Sequence, residues 1–146
     1  MSSATRTVVN IEVRYAETDA MGIVHHSNYL VWFELARTDL CRKTGTDYAA
    51  IERGGHQLTV TRSELRYRRP ARYGDSVRVT AWIDSIASRR VRFAYEVHCG
   101  DVLLTTGATE HVWIDRDGRP CRIPPALEPE FRRLANADAE QTATTL

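Results

Sequence analysis

A chain of 146 residues with a formal net charge of +1 has the size of one domain and can bury a core without disulfides or structural metal. The near-neutral charge argues against a duplex nucleic-acid binder, and three cysteines, Cys41, Cys99 and Cys121, far apart and odd in number, suggest neither a disulfide framework nor a zinc site. Residues 1–7 contain no apolar run and no later segment is apolar for long enough to cross a bilayer, so a reduced, cytoplasmic protein without membrane insertion is expected.

Taken in order, residues 7–15 read as a strand, because Val9, Ile11, Val13 and Tyr15 share one parity and Asn10, Glu12 and Arg14 the other. Continued, that parity would carry Glu17 and Asp19 toward the apolar side. A polar turn with Asp19 and Gly22 follows, and then a helix ending near Thr44, on which Tyr29, Phe33, Ala36 and Leu40, with Trp32 beside them, form one apolar face. Ser27 and Asn28 are its N-cap candidates and Gly45 its C′ candidate. Residues 45–55 read as a polar connection closed by Gly54-Gly55.

Residues 56–69 read as a second strand whose apolar phase changes between Val60 and Leu65, predicting a bulge near Arg62 and Ser63 before Pro70 ends it. Residues 76–86 and 90–99 alternate cleanly, with a turn at Ser88-Arg89 between them; Gly100-Asp101 signals a hairpin into a last strand over 102–115. Trp82, out of phase with its apolar neighbours, fits a sheet face covered by another subunit. A short helix through Phe131 and Leu134 precedes a tail, QTATTL, expected to be disordered. One helix followed by a run of turn-connected strands favours α+β, with an antiparallel sheet, over a βαβ arrangement.

The residues that bear chemistry cluster around Asp19, a carboxylate just before a helix N-terminus whose unpaired N–H groups can polarise a carbonyl. Asp-Ala-Met-Gly is equally an ordinary type I turn. His25 and His26, as chain neighbours, cannot easily converge on one metal ion, and no metal site is expected. Glu34 lies near the apolar stripe, where a salt bridge to Arg37 is the simple account. Of the 20 basic residues only Lys43 is a lysine, and arginine's planar fork suits phosphate, although most surface arginines serve the surface alone. No nucleophile elbow, P-loop or dinucleotide fingerprint is present.

The pattern Tyr15-x-x-Thr18-Asp19-x-x-Gly22-x-Val24-His25-His26-x-Asn28-Tyr29-x-x-Trp32-Phe33-Glu34-x-Ala36-Arg37 resembles the 4-hydroxybenzoyl-CoA thioesterase family, in its bacterial acyl-CoA thioesterase branch. Tyr67, Pro70, Ala71, Tyr73, Gly74 and Asp75 resemble its second block and Gly118 to Pro124 its end, so the likeness covers roughly residues 8–127. The resemblance implies a hotdog fold, a five-stranded antiparallel sheet wrapped around one long central helix, with a core over about 7–127 and a tail over 128–146. It implies hydrolysis of acyl-CoA to a carboxylic acid and CoA, with no cofactor beyond the CoA of the substrate. Asp19 would be the catalytic carboxylate, as nucleophile or general base. The backbone N–H at about His26 would meet the thioester oxygen, and the His26 side chain would bond to substrate, water or Asp19. His25 would contact substrate, and Tyr29, Trp32 and Phe33 would line the acyl slot. Ser88, Arg89, Arg90 and Arg122 would hold the CoA phosphates. The family also implies a homodimer or homotetramer with sites at the interface. Two rivals stand beside this reading: a hotdog enoyl-thioester hydratase or dehydratase using Asp19 and His26, and an acyl-binding protein without catalysis.

Overall fold

The computed structural model describes residues 4–45 and 48–136. Its elements are β1 (Thr7–Glu12), a 3₁₀ turn (Tyr15–Glu17), α1 (Ser27–Cys41), α2 (Tyr48–Arg53), β2 (Gln57–Tyr67), β3 (Ser76–Ile86), β4 (Arg90–Cys99), β5 (Val102–Ile114), β6 (Pro120–Cys121) and α3 (Glu128–Ala135). The sheet is antiparallel throughout, in the order β1-β3-β4-β5-β2, with the two-residue β6 pairing on β5. The expected five strands are all present, and β6 is a sixth that two residues cannot announce by alternation. The phase break in β2 is a register shift between Val60 and Arg62 against β5, within two residues of its expected place.

β1 stops three residues short of the expected strand because the chain turns into the 3₁₀ segment, while Val13 still reaches the core. The expected loop over 45–55 contains α2, a helix of six residues, too short for an apolar stripe to emerge. Gly55, at φ +101°, follows it where an L-residue would be strained. α3 forms as expected and buries Phe131 and Leu134; the tail QTATTL lies outside the described residues. Trp82 stays partly exposed, with the Arg6 guanidinium 3.8 Å from its ring centroid.

α1 buries Tyr29, Trp32, Phe33, Ala36, Leu40 and Cys41 against the inner face of the sheet, where Val77, Val79, Ala81, Ile83, Phe93, Tyr95 and Val97 wait in strict alternation. Phe33 stacks flat on Tyr95, with centroids 4.2 Å apart and 3° between planes. Its ring also rests on the backbone of Gly107 in β5. A Cβ there would stand 2.6 Å from Phe33 Cε2 and 2.9 Å from the Glu64 carbonyl oxygen, so Gly107 sets how closely the helix meets the sheet. Behind Tyr95 a polar chain threads the core: Arg37 donates to the Tyr95 hydroxyl (3.2 Å), which bonds Thr109 (2.6 Å), which bonds His111 Nε2 (2.8 Å). Burial first, and then the Arg37 charge, pull the His111 pKa down to about 3, which keeps the imidazole neutral.

Gly107→Ala is expected to destabilise the fold by about 1–3 kcal/mol, through overpacking against Phe33. Chemical denaturation of the two proteins measures it; equal midpoints would show that α1 can lift off β5 without cost.

Candidate active site

The site is built from residues 13–26, a loop that folds back over the N-terminus of α1. Its anchor is Glu17, whose side chain is buried at 5% exposure although the chain is open to solvent on either side of it. Glu17 Oε1 accepts the Arg14 backbone N–H at 2.8 Å, Oε2 accepts the Trp32 indole N–H at 2.9 Å, and the Arg14 guanidinium lies 3.6 Å away. Burial pushes this carboxyl up, but the Arg14 N–H, the indole and the arginine charge outweigh it, and its pKa lies below the ordinary value of 4.5. The Glu17 backbone carbonyl accepts the His25 N–H (2.8 Å) and the Asn28 side-chain amide (2.9 Å), which seats the loop on the first turn of the helix.

Asp19 sits in the turn the sequence suggests: the Gly22 N–H reaches the Asp19 carbonyl at 2.9 Å, with Gly22 at φ +80°. Asp19 Oδ1 accepts the Met21 N–H at 2.9 Å, with the Ile23 N–H at 3.4 Å. Oδ2 takes no hydrogen bond among the described residues. The parity argument that placed a carboxylate near the core is met by Glu17, while Asp19 stays at the boundary with solvent.

The expected caps are corrected. Helix α1 starts from His26, which is in helical conformation and makes no side-chain cap; the ring Nδ1 of His25 instead accepts the Ser27 N–H (3.2 Å) and pairs with the Ser27 hydroxyl (2.8 Å). Asn28 is spent on the Glu17 carbonyl, and Gly45 is not the C′ residue, since the helix caps at Arg42 and the Gly45 N–H goes to Glu130. His25 is therefore the capping histidine, and its ring stacks on His26 with centroids 4.2 Å apart. The His26 backbone N–H has no acceptor among the described residues, which leaves one donor at the helix N-terminus open.

Asp19 and His26 line one cleft of about 300 Å³, together with Met21, Val24, Tyr29, Tyr67, Arg68 and Arg69. Its floor is tied down by the second sequence block: the Val24 N–H bonds the Ala71 carbonyl, Gly74 bonds Val13, and the Ala71 N–H donates to the Tyr29 hydroxyl. Burial first pushes the Tyr29 phenol up, so it stays protonated. Of the expected acyl-slot residues Tyr29 faces the cleft. Trp32 and Phe33 do not: at 1% and 0% exposure they belong to the core, one holding Glu17 and the other stacked on Tyr95. Glu34 is exposed and 3.7 Å from Arg37, as expected for an i,i+3 pair.

The segments that carry Ser88, Arg89, Arg90 and Arg122 adjoin, since the Ile123 N–H donates to the Ser88 carbonyl at 2.7 Å. They do not meet the cleft within one chain. Arg90 pairs with Val112 of β5, whereas Tyr67 at the cleft pairs with Thr105, and seven strand residues span about 23 Å. The sequence reading carried Glu17 toward the apolar side but gave it no role, and it missed Met21, Arg68 and Arg69 as cleft residues. The run Arg66-Tyr67-Arg68-Arg69-Pro70, charges against a chain-stopping proline, was the available signal for the last two.

The model of the thioesterase-like superfamily matches residues 13–131. The chain belongs to that superfamily. Among curated relatives, the putative acyl-CoA thioesterase YneP of Bacillus subtilis is 38% identical over 108 residues, 73% of this chain and 78% of that protein. Among solved structures, a hypothetical protein, TT1821, from Thermus thermophilus superposes with a TM-score of 0.80 at 39% identity, covering 92% of this chain and 98% of that one. A DHNA-CoA thioesterase from Staphylococcus aureus gives 0.80 at 34%, covering 97% and 93%. This superfamily member is a hotdog-fold thioester hydrolase, the fold and reaction class that the motif around Asp19 implied. Among the described residues no helix is long and apolar enough to cross a membrane.

Because the Glu17 pKa is lowered by folding, the stability it contributes is present above the unfolded value of 4.5 and is lost as pH falls through the lower folded value. Glu17→Gln sets an amide N–H against a donor, and should lower stability at pH 7 by about 1–3 kcal/mol while flattening the fall below pH 4.5. Urea unfolding at a series of pH values reads both; an unchanged acid limb would assign the acid sensitivity to other groups.

Proposed function

We propose that the chain hydrolyses an acyl-CoA thioester to a carboxylic acid and free CoA, with Asp19 and the N-terminus of α1 as the working parts. The observation that carries the proposal is that Asp19 and His26 share one cleft, at a helix end with an open N–H. In the proposed reaction the His26 N–H, aided by the helix dipole, accepts the charge that develops on the carbonyl oxygen. Asp19 Oδ2 either attacks the carbonyl carbon, giving a mixed anhydride that water opens, or takes a proton from the water that attacks. In both routes the C–S bond breaks and the thiolate is protonated, so the net change is addition of water. CoA leaves as the product thiol, and the reaction calls for no cofactor. The His26 ring supplies a hydrogen bond to substrate or water, and Tyr29 borders the acyl group.

The assembly proposed is a homodimer, alone or paired into a homotetramer, in the cytoplasm. β2 is an edge strand, and Val60 and Tyr67 on its helix side are 48% and 50% exposed, beside the exposed Leu30, Val31 and Leu35 of α1. An apolar strip along an open edge is a liability in a monomer. Two such edges pairing antiparallel would set the cleft of one chain beside the Leu58 end of its partner. The partner's turn over residues 88–90 lies at that same end, which supports a phosphate role for it across the interface.

Thiol release from a panel of acyl-CoAs, with benzoyl, hydroxybenzoyl, butyryl, octanoyl and palmitoyl groups, tests the reaction. Asp19→Asn should fold normally and lose at least about a hundredfold in kcat. Wild-type turnover in that variant would sink the mechanism, and an enoyl thioester consumed without thiol release would point to hydration instead. A single turnover in ¹⁸O-water identifies the nucleophilic route when label enters the Asp19 carboxylate, which requires attack by Asp19 and opening of the anhydride by water at the aspartyl carbonyl. For the dimer, Val60→Arg should shift sedimentation toward monomer and lower turnover with it; a dimeric Val60→Arg protein would move the interface elsewhere.

A further inference from the structure

Several arginines of the described surface are neutralised by carboxylates. Arg6 pairs with Glu96, Arg62 with Glu64, Arg92 with Glu64, Asp84 and Glu110, Arg132 with Glu128, and Arg133 with Glu130. Arg66, Arg68, Arg69 and Arg72 are not among them. All four are exposed, they fall within seven residues, and none has a carboxylate at ion-pair distance among the described residues. Four unpaired like charges so close repel one another, and a chain with a net charge of only +1 has enough acids to avoid the arrangement.

Their position gives the cluster a use. Arg68 and Arg69 line the Asp19 cleft. Their backbone N–H groups both donate to the Leu104 carbonyl, at 2.8 and 3.0 Å, and Pro70 follows, so the segment that bears them is fixed before any ligand arrives. Arg72 is bridged to Ile23 in the Asp19 loop itself. We infer that this cluster is an anion site for the phosphates at the nucleotide end of the thioester substrate, with Arg68 and Arg69 as its core. The inference rests on the hydrolysis proposed above and names the carrier it acts on. A flexible arm separates the thiol of CoA from its phosphates, so the phosphate site must stand at the rim of the cleft and outside it, where these side chains are. Guanidinium forks bind phosphate bidentately, which suits Arg here in a way lysine would not. The partner's Arg89, Arg90 and Arg122, brought across a dimer, would be a second set of contacts; the Arg68 and Arg69 site is complete within one chain.

The test compares one acyl group on two carriers, CoA and N-acetylcysteamine, the second having the thioester without phosphates. For the Arg68→Ala, Arg69→Ala double variant kcat/KM should fall about tenfold to a hundredfold on acyl-CoA, mainly through KM, and stay within twofold on the cysteamine thioester. Raising the salt concentration should raise the wild-type KM for acyl-CoA and barely move that of the variant. Equal losses on both carriers would overturn the inference, because the arginines would then be shaping the cleft. So would no loss on either, with the loss appearing in Arg89→Ala, Arg90→Ala instead. A loss confined to acyl groups on an acidic carrier protein would replace phosphate with a protein partner. Calorimetric binding of free CoA, which should weaken in the double variant, decides the point without catalysis. If wild type releases thiol from neither carrier, the hydrolysis reading fails and the calorimetry still judges the arginines.

Discussion

The hydrogen bond between the Glu17 carboxylate and the Trp32 indole is the constraint on which the site depends. A carboxylate at 5% exposure is costly to desolvate, and it is tolerated because two N–H donors and a nearby guanidinium are aimed at it. Withdrawing one donor leaves a buried charge partly unsatisfied, which is worse than having no charge there. The loop over residues 13–26 is thereby fixed to the middle of α1 through its side chain, and to the start of α1 through the Glu17 carbonyl. Asp19 is two residues from this anchor and inherits its position. The open N–H of His26 follows from the same geometry, since the neighbouring donors, His25 N–H and Ser27 N–H, are taken by Glu17 and by the His25 ring.

The second constraint is the distance between helix and sheet. Phe33 lies against Gly107 and flat on Tyr95, which are paired neighbours in β5 and β4, so α1 is held at a height that no side chain at position 107 would permit. The cleft opens where α1 begins and β2 ends, with Tyr29 from the helix and Tyr67 from the strand packed edge to face at 5.5 Å. Its walls are thus borrowed from the core. That is why Trp32 and Phe33, which the sequence presents as slot residues, act one layer behind it: they place Glu17 and the helix, and the groups that face the cleft are placed by them.

How far the sequence spoke for this arrangement varied with the physics of each segment. β3 and β4 were readable to the residue, because Val77 to Ile83 and Val91 to Val97 alternate without interruption on a sheet with one buried face. The bulge in β2 was visible as a phase change, since a bulge exchanges the two faces. α2 and β6 were invisible, being too short for any period to repeat. The caps of α1 misled for a different reason: Ser27 and Asn28 are good caps by composition, but a histidine ring and a distant carbonyl claimed them first. Tertiary contacts of that kind leave no local mark. Asp19 was found through a motif, while strand parity set Glu17 and Asp19 on the same apolar side, because nothing in a one-dimensional pattern tells a carboxylate that enters the core from one two residues away that does not.

Charge shows the same limit most plainly. Nineteen arginines look alike in a sequence, and they differ only in what stands beside them once the chain is folded. Arg92 is surrounded by three carboxylates on the outer face of the sheet and belongs to the surface. Arg37, beside Tyr95, ends a polar chain that runs back to a neutral His111, and belongs to the core. Arg68 and Arg69 have neither kind of partner and line the cleft that holds Asp19. An unpaired cation on an immobile segment is repelled by its neighbours until an anion arrives, so its electrostatic stabilisation is reserved for the bound state. Affinity gained at this rim is remote from the scissile bond. In the role proposed for them, these arginines would hold a long thioester in register with Asp19 while leaving the acyl end of the cleft free to select by shape.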